Sequence, residues 1–139
     1  TKTKDIVKDG ILKTYLLDTY SAKKLNSIST SNKGIITNII VDSKNEKKSN
    51  MISTIEDGIY ITEMMGSGVN ILTGDYSRGA FGYLIKNGEI QHPVNGITVA
   101  SNLKKMFKNI IGLGNDIDKR SKIITGSVLI KDITVGGTN

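Results

Sequence analysis

Residues 75–78 read Asp-Tyr-Ser-Arg, so a carboxylate, a phenol, a hydroxyl and a guanidinium occupy four consecutive positions. Such a set could move a proton, attack a carbonyl or grip an anion, but each of these needs a second group. A serine nucleophile needs a general base. The one histidine, His92, precedes Pro93, which predicts an extended position at a strand end or edge rather than a place in a triad. A hydrolytic zinc needs three ligands from His, Asp, Glu or Cys and an open position for water. The chain has no cysteine, no His-x-x-x-His and no His-Glu-x-x-His. Glu63, Asp75, Glu89 and Asp116 could in principle pair as acid and base, yet no spacing singles out two of them. "GSGVN" at 66–70 lacks the third glycine of a dinucleotide fingerprint and the Gly-Lys-Ser/Thr ending of a phosphate loop. Its glycines predict a bend or bulge instead. The residues supply no self-sufficient active site.

The surroundings of Asp75–Arg78 leave two readings open. Gly74, Gly79 and Gly82 flank the group and predict a loop between two strands within 70–90. In the first reading the loop locks itself, Asp75 accepting backbone N–H groups and Arg78 forking onto a carboxylate. In the second, Asp75, Tyr76, Ser77, Arg78 and Gly79 form a peptide- or partner-binding loop. The glycine would let another backbone approach, and the arginine beside a tyrosine would anchor an interface. An adjoining strand edge could then pair with an extended peptide.

The elements that would position this group are mostly strands. "DGILKTYLLD" (9–18), "KGIITNIIVD" (33–42) and "IYITEM" (59–64) are rich in β-formers between turn residues. "FGYLIKNGEIQHPV" (81–94) is a hairpin, because Asn87-Gly88 tolerates positive φ at both central turn positions. "KIITGSVLIKDITVGG" (122–137) adds two β-runs around Lys131-Asp132, and "SKNEKKSN" (43–50) reads as an exposed loop. The main helix is expected near 101–112, capped by Ser101, with Leu103, Met106, Phe107, Ile110 and Ile111 as one core-facing stripe. Short helices are expected near 21–26, with Ser21 as N-cap, and near 51–57. The fold class is α+β, mostly antiparallel sheet, sandwich or barrel-like.

Composition narrows the partners. The chain carries 19 Lys+Arg against 13 Asp+Glu, a net charge of +6, and is only 5% aromatic. Arg78 and Arg120 are its only arginines, so the forks and stacking faces of nucleic-acid readers are scarce. The lysines read as a solvated surface. At 139 residues the chain is expected to be one domain, 1–139. The polar start "TKTKDIVKDG" reads as a cut within a longer protein. Lack of cysteine and of any apolar run near the ~20 residues of a membrane span predicts a cytoplasmic protein with no membrane contact.

Three stretches go beyond generic patterning: "DGILKTYLLDTYSAKKLNSIST" (9–30), "TEMMGSGVNILTGDYSRGAFGYLIKNGEIQHPV" (62–94) and "ITVASNLKKMFKNIIGLGNDI" (97–117). Together with "SKIITGSVLIKDITVGG" (121–137) they resemble the C-terminal domain of the PmbA (TldE) branch of the TldD/PmbA family. Lys86 and the "TSNKG" turn (30–34) depart from that branch's pattern. The resemblance implies a cytosolic zinc peptidase built from paired TldD-type and PmbA-type subunits that process peptides, including antibiotic precursors and antitoxins. It implies zinc in the TldD-type partner, on an upstream His-Glu-x-x-x-His helix completed by a late cysteine. Here the matching place reads Ile124-Thr125-Gly126, so this domain alone is expected to be inactive and to hold no metal. Partners implied are a TldD-type subunit and peptide substrates, with self-association of the isolated chain a further expectation. Two alternatives stand beside it: a non-enzymatic basic module binding nucleic acid or protein, and a subunit active by itself through a zinc motif upstream.

Overall fold

The Asn87-Gly88 dipeptide organises the chain as its residue types predict: Asn87 has φ +50° and Gly88 φ +77°. A turn with positive φ at both centres matches the right-handed twist of the strands it joins. It connects β5 (Asp75–Lys86) and β6 (Glu89–Asn102), the two longest strands in this computed structural model, which describes residues 3–30, 38–42 and 46–137. The chain groups into two compact units, Thr1–Ile39 and Ile40–Asn139, and each is described by itself.

In the first unit a second turn of the same kind, Asp9 (φ +51°) and Gly10 (φ +74°), joins β1 (Val7–Lys8) to β2 (Ile11–Leu12). The strand expected across 9–18 is therefore two residues long. Helix α1 (Thr19–Lys24) starts two residues earlier than expected. Asp18, not Ser21, is its N-cap, and the Asp18 carboxylate accepts the Ser21 N–H at 2.7 Å. Asp and Ser are equally good caps, so local sequence cannot rank them. Leu17 and Ala22 are the buried apolar residues of this unit, and the Leu17 N–H donates to the Thr30 hydroxyl at 2.8 Å. Of the strand expected at 33–42 only 38–42 are described, containing β3 (Ile39–Ile40); the rest lies outside the described residues.

The second unit contains α2 (Lys48–Ser53), β4 (Asp57–Met65), β5, β6, α3 (Leu103–Lys108), β7 (Ile110–Leu113), β8 (Ile123–Ile124), β9 (Val128–Ile130) and β10 (Thr134–Gly136). The main sheet is antiparallel, in the order β10-β6-β5-β4, and open. The antiparallel α+β class is as expected. Its core is Ala80, Ile97 and Val99, with Tyr76, Ile61 and Val135 packed around them. Between the pairs Ala80–Ile97 and Gly82–Val94, β6 carries one residue more than β5, and Gly96 takes φ +62° in that bulge.

Three boundaries differ from expectation. Positions 48–50, expected in the exposed loop, begin α2, which ends at Ser53, and β4 starts where that helix was expected to finish. The main helix is six residues long; Asn102, not Ser101, caps it, accepting the Lys104 N–H at 3.1 Å. Ile110 and Ile111 leave the helical stripe for β7, which pairs with β9. Long-range pairing overrode the 3.6-residue period there. Pro93 sits opposite Tyr83 in β6, beyond the three residues that pair with β10, so its missing N–H falls on a stretch without a second described neighbour strand.

Gly82 shows how tightly β4 lies against β5: a Cβ there would come 2.1 Å from the Tyr60 carbonyl oxygen. Because the clash is with backbone, Gly82→Ala should destabilise the protein by at least ~2 kcal/mol, measured as a fall in the urea unfolding midpoint at unchanged m.

Candidate functional site

Asp75–Arg78 is not a loop. All four residues belong to β5 and pair with Asn102, Ser101, Ala100 and Val99 of β6. The turn that precedes them is Asn70–Gly74. Of the flanking glycines, Gly74 ends the turn at φ +82°, while Gly79, opposite Thr98, and Gly82, opposite Val94, continue the strand. The other edge of this segment is covered by residues 68–70. Ser77 N–H donates to the Gly68 carbonyl at 2.7 Å, and Asn70 N–H to the Asp75 carbonyl at 2.8 Å. The close backbone approach expected of a glycine here is real, but the approaching chain is the protein's own. A Cβ on Gly68 would sit 1.7 Å from the Ser77 carbonyl oxygen.

The side chains are sorted by strand alternation. Tyr76 is half-buried against the sheet core, and Arg78, opposite Val99, is half-buried too. The expected Arg78–carboxylate fork is absent among the described residues. Instead Nε donates to the Met65 carbonyl and an Nη to the Met64 carbonyl, both at 3.3 Å. Asp75 accepts the Thr73 hydroxyl at 2.7 Å. Asp75 and Ser77 are exposed, while a side chain on Gly79 would meet Met65. The segment thus presents one acid and one hydroxyl on a rigid strand. His92 is exposed within β6.

The four acids considered for a pair are dispersed. Glu63 lies in β4, Asp75 opens β5, Glu89 opens β6, and Asp116 follows β7. Among the described residues no three His, Cys, Asp or Glu converge as a metal site requires.

A second arrangement was not legible as a motif. Asp116 accepts the Ser127 hydroxyl at 2.6 Å and the Ser127 N–H at 2.9 Å, with the Lys48 ammonium 3.7 Å away. Lys48 also donates to the Tyr60 hydroxyl at 3.4 Å and lies 5.4 Å from the centre of its ring. Partial burial pushes the Asp116 carboxyl up, but the Ser127 hydrogen bonds, with help from Lys48, outweigh it and hold the group below the usual carboxylate range. The Tyr60 hydroxyl, and then Asp116, keep Lys48 above the ordinary lysine value, so it stays a cation and cannot serve as a base. The contacting pairs lie 11 (Asp116–Ser127), 12 (Lys48–Tyr60) and 68 (Lys48–Asp116) positions apart in the chain, so tertiary structure joins them. Three of them, Lys48, Tyr60 and Ser127, line a cleft of about 1230 Å³ whose apolar lining includes Met51 of α2, Ile59 and Ile61 of the sheet and Leu129 of β9.

The family model described as the PmbA/TldA metallopeptidase C-terminal domain matches residues 1–137. The chain belongs to this family. It is 53% identical over 138 residues, 99% of its own length, to a "Metalloprotease PmbA homolog" of Buchnera aphidicola subsp. Baizongia pistaciae. To the "Metalloprotease PmbA" of Escherichia coli O157:H7 it is 47% identical over 137 residues, again 99% of the chain. It spans 31% and 30% of those two proteins. Among solved structures, a Thermotoga maritima protein described as a candidate modulator of a DNA gyrase superposes with TM-score 0.87 at 30% identity, over 98% of this chain and 33% of that one. Among the described residues no helix is long and apolar enough to cross a membrane.

The Asp116 network carries its own test. With a folded pKa below the unfolded one, its stabilisation is complete above the unfolded value, ~3.9, and is lost as pH falls through the lowered folded value. Asp116→Asn should therefore cost ~1–2 kcal/mol at pH 7. The deficit against the parent should shrink in urea titrations run at progressively lower pH below 4.

Proposed function

We propose that this chain is the C-terminal domain of a PmbA/TldE-type subunit that works with a metal-bearing TldD-type subunit to process peptides in the cytoplasm. One combined observation carries the reading: a metallopeptidase-family match over residues 1–137 in a domain whose described carboxylates and histidine gather no metal donor set. The zinc, in this reading, sits in the partner, and the domain contributes binding surface. The cleft of about 1230 Å³ supports a peptide over a small ligand, because ordinary small-molecule pockets occupy ~300–1,000 Å³. The full-length PmbA-type protein, untagged and purified alone, should contain no stoichiometric zinc and hydrolyse no peptide. Mixed with the TldD-type subunit it should form a complex that holds zinc and cleaves. Tight one-to-one zinc with turnover in the lone subunit would overturn the reading, as would a His-Glu-x-x-x-His helix upstream in the same chain.

Asp75, Tyr76, Ser77, Arg78 and Gly79 belong to the same proposal as a peptide- or partner-binding strand, with Asp75 and Ser77 as its exposed contacts. Main-chain pairing of an extended peptide with a neighbouring strand edge would suit a processor of varied sequences. Arg78→Ala should weaken assembly or peptide turnover while lowering stability by only ~1 kcal/mol, since its two hydrogen bonds to carbonyls are long. A large loss of stability with full activity per folded molecule would make the segment scaffold alone.

A second reading, a non-catalytic basic interaction module, draws on the +6 charge and on the gyrase-modulator description of the Thermotoga relative. It is separated from the first by whether the mixed subunits cleave peptide.

A further inference from the structure

On the two-subunit reading above, we infer that the Asn70–Gly74 turn and helix α3 form the docking surface for the metal-bearing subunit, which meets them with an apolar pocket ringed by carboxylates. The turn is held from inside: Asn70 Oδ1 accepts the N–H groups of Leu72 at 2.9 Å and Thr73 at 3.2 Å, and Gly74 N–H donates to the Asn70 carbonyl at 2.7 Å. It is also fastened to the helix. Asn102 caps α3 through Oδ1 while its Nδ2 donates to the Thr73 carbonyl at 3.1 Å, and Leu103 N–H donates to the Gly74 carbonyl at 2.7 Å. Turn and helix start are therefore preorganised, which removes most of the ordering cost of binding.

What this rigid body presents is apolar. Ile71 is 84% and Leu72 92% exposed, and Phe107, on the helical stripe expected to face the core, is 71% exposed. Single exposed aliphatics need no explanation, but two adjacent large apolar side chains on a fastened turn, with a third on the helix to which it is fastened, mark a contact surface.

The lysines choose the occupant. Lys104, Lys105 and Lys108 are exposed on the same helix, and none of them forms an ion pair among the described residues. A two-fold dimer of this chain would bring the three lysines of each copy against one another, so a second copy is disfavoured. A partner with carboxylates around an apolar pocket satisfies both chemistries. A bilayer is the weaker fit, because α3 has six residues, short of an interfacial amphipathic helix.

The test uses full-length subunits and isothermal titration. Leu72→Asp should raise the Kd for the metal-bearing subunit by ~10-fold or more. Charge reversal of Lys104, Lys105 and Lys108 to Glu should slow association and flatten its salt dependence. Neither change should move the unfolding midpoint by more than a few degrees, because every altered side chain is exposed. If the parent pair assembles and both variants bind with parental affinity, this surface is wrong while the two-subunit reading stands. Leu72-dependent binding to phosphatidylserine vesicles with pair formation unaffected also overturns it, in favour of a membrane contact. Failure of the parent pair to assemble removes both.

Discussion

A two-residue turn with positive φ at both centres is the constraint on which the second unit rests. Asn87 and Gly88 set Lys86 opposite Glu89 and Ile85 opposite Ile90, the register from which the two long strands run outward. Two irregularities, between Ile85 and Tyr83 and between Gly82 and Ala80, each shift the pairing by one residue, so that Ala80 falls opposite Ile97 and Arg78 opposite Val99 in the core. A one-residue slip would turn those apolar side chains to the opposite face. β4 and β10 complete the sheet at its two edges.

The polar residues fasten what the hairpin leaves loose. Gly88 and Asn87 N–H groups donate to the Ile55 and Glu56 carbonyls, tying the turn to the segment after α2. Lys48, Tyr60, Asp116 and Ser127 tie α2 and β4 to the stretch between β7 and β9 across the cleft. Both arginines point back at their own chain. Arg78 holds the carbonyls at the end of β4. Arg120 forks onto Asp118, whose carboxyl those hydrogen bonds hold near about 2. Neither guanidinium is left as an unoccupied anion clamp.

Membership in a metallopeptidase family does not by itself assign metal chemistry to each domain. Here the four acids considered for a pair lie apart, Asp75 at the start of β5, Glu89 at the start of β6, Glu63 within β4 and Asp116 after β7. What the domain offers in quantity is shaped surface: a broad cleft over the sheet and a fastened apolar turn.

Local chemistry determined much of this directly from sequence. Asn-Gly and Asp-Gly specify their turns because few other residues reach positive φ cheaply, and β-branched runs between glycines specify strands. The family, too, was legible in the run T-G-D-Y-S-R-G-A with N-G-E-I, and the 1–137 match bears it out. Helix ends were less legible: Asp18 and Ser21, or Ser101 and Asn102, are chemically equivalent caps until the rest of the fold chooses. The error at Asp75–Arg78 has the same source. An acid, a hydroxyl and glycines read as a loop locally, whereas pairing with β6 on one edge and with residues 68–70 on the other makes them a strand. Likewise Ile110 and Ile111 fit a helical stripe until β9 offers them a ladder. The Lys48–Tyr60–Asp116–Ser127 network had no sequence signal at all, because hydrogen bonds between residues far apart in the chain exist only after the backbone has brought them within reach.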